Sequence, residues 1–216
     1  MPDRKALCLA SGELAEIGTA DRQVLSGDPL DALHAVPRQY VDSRLNLLAV
    51  GEELFPRGLL SVGYSALGNQ TLRLGFFTAR KTETTTQVRL ISGSTAAGPT
   101  PTLARVGLYL IADSGDGTLV ASTVNDTSLF ATAATIYTRS WAAPYAKVAG
   151  QRYALGVLFV TTAAVPTIGG TAVLNAAELA VAPRITGSIG SQTDLPSSFA
   201  AATPVASISH FYGAAV

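Results

Sequence analysis

The sequence predicts an all-β protein: an antiparallel, jelly-roll-like β-sandwich preceded by an extended N-terminal arm and one short α-helix. Two observations lead to the sandwich. Between Leu103 and Val160 side-chain character flips every second residue. Val106, Leu108 and Leu110 share one face of a strand and Arg105, Tyr109 and Ile111 the other. Tyr153, Leu155, Val157 and Phe159 likewise oppose Ala154, Gly156, Leu158 and Val160. A period of two is the signature of a strand. Gly/Asp clusters such as Asp113-Ser114-Gly115-Asp116-Gly117 interrupt these runs and read as chain reversals. A third observation leads to the helix: Tyr40, Val41, Leu45 and Leu48 recur at helical spacing.

Taken in order, residues 1–27 are mixed, with Gly12, Gly18 and Gly27 as punctuation, and read as an extended arm ordered by a neighbour. Gln23-Val24-Leu25 is a candidate short strand. Asp28-Pro29 is a turn signal. Pro37 suits the first position of a helix, where its missing N–H costs nothing. The helix runs over about 37–49 and ends near Gly51. Its apolar stripe must pack on something, because a helix of about a dozen residues is marginal alone in water. Two partners fit: its own domain, or two further copies of itself around a three-fold axis, with Tyr40, Val41, Leu45 and Leu48 as the interface.

Pro56 and Gly58 stop any helix, so Glu52–Gly58 reads as a linker. The division falls there, giving an attachment region, 1–57, and a sandwich, 58–216. Within the sandwich the candidate strands are Thr71–Ala79, Thr84–Ser92, Ala104–Ala112, Thr118–Thr123, Thr135–Trp141, Arg152–Thr161, Thr171–Leu179, Arg184–Ser188 and Ala206–Tyr212. Gly93, Gly98, Pro99 and Pro101 mark one long loop, and Pro166, Gly169 and Gly170 another.

Two stretches resemble virion proteins. Asp28, Pro29, Leu33, Ala35, Arg38, Gln39, Tyr40, Val41 and Asp42 resemble a "DP…A…A-T-K-Q-Y-V-D" segment of phage tail fibres and other virion fibres, with Arg38 for Lys and Pro37 for Thr. That resemblance implies a short helix at or near a trimer axis, beside the attachment region. The runs A-R-V-G-L-Y, D-G-T-L-V-A, N-D-T-S-L-F and G-Q-R-Y-A-L-G-V-L between Ala104 and Val160 resemble the C-terminal β-sandwiches of minor tail and fibre proteins of phages infecting actinobacteria. That resemblance implies a particle component that touches the host surface or decorates the particle.

The totals bound the function. Fifteen Lys+Arg balance fifteen Asp+Glu, which argues against capture of nucleic acid, since that needs clustered positive charge. Charged residues make up 14% of the chain, well under the usual quarter or so. The mean hydropathy is +0.32. A surface so poor in charge is expected to be covered by identical copies or other proteins. Cys8 is the one cysteine, so no intrachain disulfide forms, and the apolar runs are too short to insert in a membrane. The expectation is assembly in a host cytoplasm and residence in a virion.

Candidate chemistry is sparse. His34 and His210 lie in different regions, and no Gly-x-Ser-x-Gly elbow accompanies them. Asp113, Asp116 and Asp126 suit turns better than a glycosidase acid pair or a calcium loop. One cysteine and two distant histidines leave no Cys/His metal site, and neither metal nor cofactor is expected. Tyr137, Trp141 and Tyr145 lie close together. They read either as a stacking platform for a host glycan or, for Trp141, as a plug at the end of the core. Arg73, Arg89, Arg105, Arg139 and Arg152 could bind anionic glycans or line a solvated face. The reading is of a non-enzymatic virion protein: a homotrimeric fibre or minor tail component held to other virion proteins by its N-terminal arm. A head fibre or decoration protein, or a carbohydrate-binding adsorption module, is the alternative.

Overall fold

A computed structural model describes residues 7–10, 13–16, 51–172, 182–207 and 209–216. The chain forms two compact units, Met1–Ala49 and Val50–Val216. In the first, β1 (Leu7–Ala10) and β2 (Glu13–Glu16) pair antiparallel, with Leu7 opposite Glu16. Where the sequence predicts an extended arm, the chain doubles back at this hairpin. The strand expected at 23–25, the helix expected over 37–49 and His34 lie outside the described residues.

The second unit is an antiparallel β-sandwich. Its strands are β3 (Glu52–Glu53), β4 (Ser61–Ala66), β5 (Leu72–Thr78), β6 (Glu83–Ile91), β7 (Pro101–Ile111), β8 (Gly117–Ser122) and β9 (Ile136–Lys147). They continue with β10 (Arg152–Thr161), β11 (Thr167–Ala172), β12 (Thr186–Ile189), β13 (Ser198–Phe199), β14 (Ser209–Phe211) and β15 (Gly213–Ala215). A six-stranded sheet has the order β12-β5-β10-β7-β8-β13, a four-stranded sheet β3-β15-β6-β9 and a three-stranded sheet β14-β11-β4.

The alternation read in β7 and β10 becomes two separate cores. Val106, Leu108, Tyr153, Leu155, Val157 and Phe159 pack against Val88, Leu90, Tyr137, Trp141 and Ala215 of the four-stranded sheet. On the opposite face of the six-stranded sheet, Tyr109, Ile111, Ala154 and Leu158 meet Leu72, Leu74 and Phe76. Ile189, Leu195 and Phe199, from the returning chain, close over them. The central sheet is therefore covered on both sides, which is why β10 is buried almost from end to end. A smaller cluster joins Phe55, Ile91 and Tyr212.

One close approach shapes the second core. Gly107 and Gly156 sit opposite one another in the β7–β10 ladder. A Cβ on either would lie 3.0 or 2.9 Å from Cε2 of Tyr109. The two glycines together leave the space that the Tyr109 ring occupies.

The structure redraws three parts of the sequence reading. The stretch expected as a linker belongs to the sandwich: Glu52 and Glu53 pair with Ala215 and Ala214, and Arg57–Leu59 forms a 3-10 turn. The division expected at 57/58 thus falls inside the unit that begins at Val50. The loop expected around Pro166–Gly170 holds strand β11 instead, with a register irregularity between Ile168 and Gly170. Gly170 is glycine because a Cβ there would sit 2.4 Å from the His210 carbonyl oxygen of β14. Strand β9 runs six residues past Trp141, its register interrupted across Ala142-Ala143-Pro144, where Ser140 opposes Gln87 and Tyr145 opposes Thr85.

Candidate functional site

The aromatic row of β9 is split by that irregularity. Trp141 is buried, and its indole Nε1–H donates to Thr85 Oγ1 at 3.0 Å. The Thr85 hydroxyl donates in turn to the Val216 carbonyl oxygen at 2.9 Å. Tyr137 is also buried. Its hydroxyl accepts the Thr132 backbone N–H at 2.7 Å, and its ring meets Phe130 edge-on at 5.5 Å between centroids. Both side chains are part of the main core. Tyr145 is half-buried, edge-on to Tyr153 at 6.1 Å, and burial with neighbouring tyrosine oxygen pushes its hydroxyl pKa up. The glycan platform proposed for Tyr137, Trp141 and Tyr145 is therefore not a surface feature. Tyr137 and Trp141 spend their rings on the core and their polar atoms on backbone and Thr85.

The other candidates are placed as follows. The reversal after β7 is a tight hairpin: the Ala112 N–H donates to the Asp116 carbonyl oxygen at 2.9 Å, and Gly115 takes φ +90°. Asp116 accepts the Ser114 hydroxyl on Oδ2 and the Ala201 N–H on Oδ1, both at 2.8 Å, and these bonds hold its carboxyl below the usual range. One of its oxygens is thus used within the turn and the other ties the turn to the chain after β13. Arg139 pairs with Asp126, and Arg105 with Asp194 at 2.7 Å. Burial works to raise the Asp126 carboxyl, but Ser128 and Arg139 outweigh it and keep it low. His210 packs at 5.0 Å from the Phe55 ring and is buried, which depresses its pKa to about 4. Among the described residues no three His, Cys, Asp or Glu side chains converge as a metal site. The trimer-interface residues Tyr40, Val41, Leu45 and Leu48 lie outside the described residues.

A cluster that sequence reasoning missed stands out by its burial. The Lys147 side chain, at the end of β9, has no exposed surface. Its Nζ donates to Glu52 Oε2 at 2.9 Å and to Glu83 Oε1 at 3.0 Å, and lies 5.8 Å from the Phe77 ring centre. Glu52, only 3% exposed, also accepts the Arg80 backbone N–H and, at 3.3 Å, the Arg80 guanidinium on its Oε1. Glu83 pairs with Lys81 at 2.7 Å through its other oxygen. Burial raises the Glu83 carboxyl, but hydrogen bonds from Lys81 and Lys147 overcome it and leave it below its ordinary value. A buried ammonium demands such partners. One sequence signal was present: Lys147 shares strand parity with Tyr145, so a cation falls on an inward position.

An open cavity of about 390 Å³ lies at the end of the six-stranded sheet, lined by Thr78, Ile111, Asp113, Gln151 and Arg152 among others. Gln151 and Arg152 are already engaged: the former donates to the Ile111 carbonyl at 2.8 Å and the latter to that of Arg184 at 2.7 Å. Among the described residues no helix is long and apolar enough to cross a membrane.

Comparison with protein-family models and with curated proteins finds no match for this chain.

Proposed function

We propose that this chain is a structural component of a virus particle, a homotrimeric fibre or minor tail component. It is held through its N-terminal region and presents its sandwich outward. The observation that carries the reading is the double cover of the six-stranded sheet. Tyr153, Leu155, Val157 and Phe159 fill one side and Tyr109, Ala154 and Leu158 the other, every one of them fully buried. A body filled in this way works through its outer surface, which fits assembly and adhesion. The low charge fraction supports a surface covered by neighbours, and the two resemblances to virion proteins supply the setting. With Tyr137 and Trp141 in the core, contact with a host surface falls to the loops.

Two measurements test the reading. Light scattering of the purified full chain at micromolar concentration should give the mass of three copies; a clean monomer overturns the trimer. Gold-labelled antibody on intact particles should mark the tail. Label on the head would replace the fibre with a decoration protein, and unlabelled particles would remove the virion assignment.

A further inference from the structure

The cluster at Lys147 carries more than an ion pair needs. An amine without exposed surface lies 2.9 Å from one oxygen of a carboxylate that is itself 3% exposed. A second carboxylate oxygen, Glu83 Oε1, touches the same amine at 3.0 Å. The far oxygen of Glu52 accepts a backbone N–H and a guanidinium N–H, both from Arg80. Nucleophile, carbonyl carbon, proton acceptor and two donors for a developing oxyanion are thus assembled in one water-poor place. Held geometry of this kind replaces an encounter between separate reactants, and preorganised donors stabilise the charge that develops.

We infer that Lys147 and Glu52 condense into an intramolecular isopeptide bond, with Glu83 relaying the protons. Lys147 Nζ passes a proton to Glu83 Oε1, and the neutral amine attacks Cδ of Glu52. The carbonyl electron pair moves onto Glu52 Oε1, between the two Arg80 donors. Glu83 delivers its proton to Oε2, and a second proton follows from the nitrogen by the same route. The Cδ–Oε2 bond breaks, the electron pair on Oε1 returns, and water leaves. The new Nζ–Cδ amide has replaced one C–O and two N–H bonds. Nothing is oxidised or reduced, and the charge on the three side chains is the same before and after.

Its placement gives the bond a purpose. Glu52 lies on β3 and Lys147 on β9, the two edge strands of the four-stranded sheet. Strand β3 is only two residues long and is the first strand of the second unit. An amide from edge to edge would stop that strand from peeling away under load. The inference stands apart from the virion reading, because the same chemistry would follow in any setting.

Mass spectrometry of the denatured full chain tests it. The chain should weigh one water less than its sequence, and trypsin should release residues 45–57 and 140–152 as one branched peptide. A chain at full sequence mass overturns the inference. So does a missing water located elsewhere, for example in a succinimide at Asp116-Gly117. Lys147→Arg, which keeps the positive charge without an attacking amine, should restore the full mass; a water still missing there is equally fatal. A Glu83→Gln chain that remains folded by circular dichroism should stay at full mass, whereas one as light as the parent removes Glu83 from its assigned role.

Discussion

Trp141 offers a direct test at the scale of single residues. Its ring lies in the main core and its N–H is satisfied by Thr85. Trp141→Ala should therefore cost about 3–5 kcal/mol, the usual range for emptying a large aromatic site, read as a lower midpoint in urea unfolding. A loss of sugar binding with unchanged stability would be the mark of a surface platform instead. His210 sets a second prediction. Its pKa in the fold, about 4, lies below the ordinary 6.5, so the unfolded chain takes up a proton first as pH falls. The stability that depends on a neutral His210 is whole above about pH 6.5 and is lost as pH drops towards 4, up to about 3 kcal/mol in all. His210→Phe should flatten that slope in denaturant titrations at several pH values. Glu83, Asp116 and Asp126 are all held low, so their contributions persist above the ordinary carboxylate values and fade only beneath them.

Among the elements, β7 and β10 were legible because each residue's face follows from parity alone, and the two faces of these strands became the two cores. The paired glycines within them were legible as residues but not as a slot, since the Tyr109 ring reaches them only after folding. Gly156→Ala should force that ring or Leu72 aside and cost about 1–3 kcal/mol, measurable in the same urea titration. Adding Gly107→Ala should cost less than a second full share, because both methyls press on one ring. Strand β13 escaped the sequence reading: two residues carry no period. Yet its Phe199 ring seals the outer core over Gly117, where a Cβ would meet it at 2.2 Å. Phe199→Ala should uncover Tyr109 and Ile111 and lower stability by about 3 kcal/mol or more.

For the whole molecule, the class of fold was readable and the joins were not. Alternation and turn chemistry are local, so they survive in the sequence as pattern. The pairing of Glu52 with Ala215, or of Lys147 with Glu52 and Glu83, links positions far apart along the chain, and no local signal encodes it. The same distance explains why Glu52–Gly58 read as a linker: its strand exists only because β15 comes back to meet it. Removal of residues 213–216 should leave β3 and β6 without the ladder between them and yield a chain lacking the cooperative thermal transition of the parent, checked by calorimetry.

Strand β15 lies between β3 and β6, although more than a hundred residues separate it from either. During synthesis the ribosome has long since released Glu52 and Val88 when Gly213 to Ala215 finally leave the exit tunnel. The four-stranded half of the sandwich can therefore close only once Ala215 has been made and has left the tunnel, and any nascent fold before then must wait with a one-strand gap at its centre.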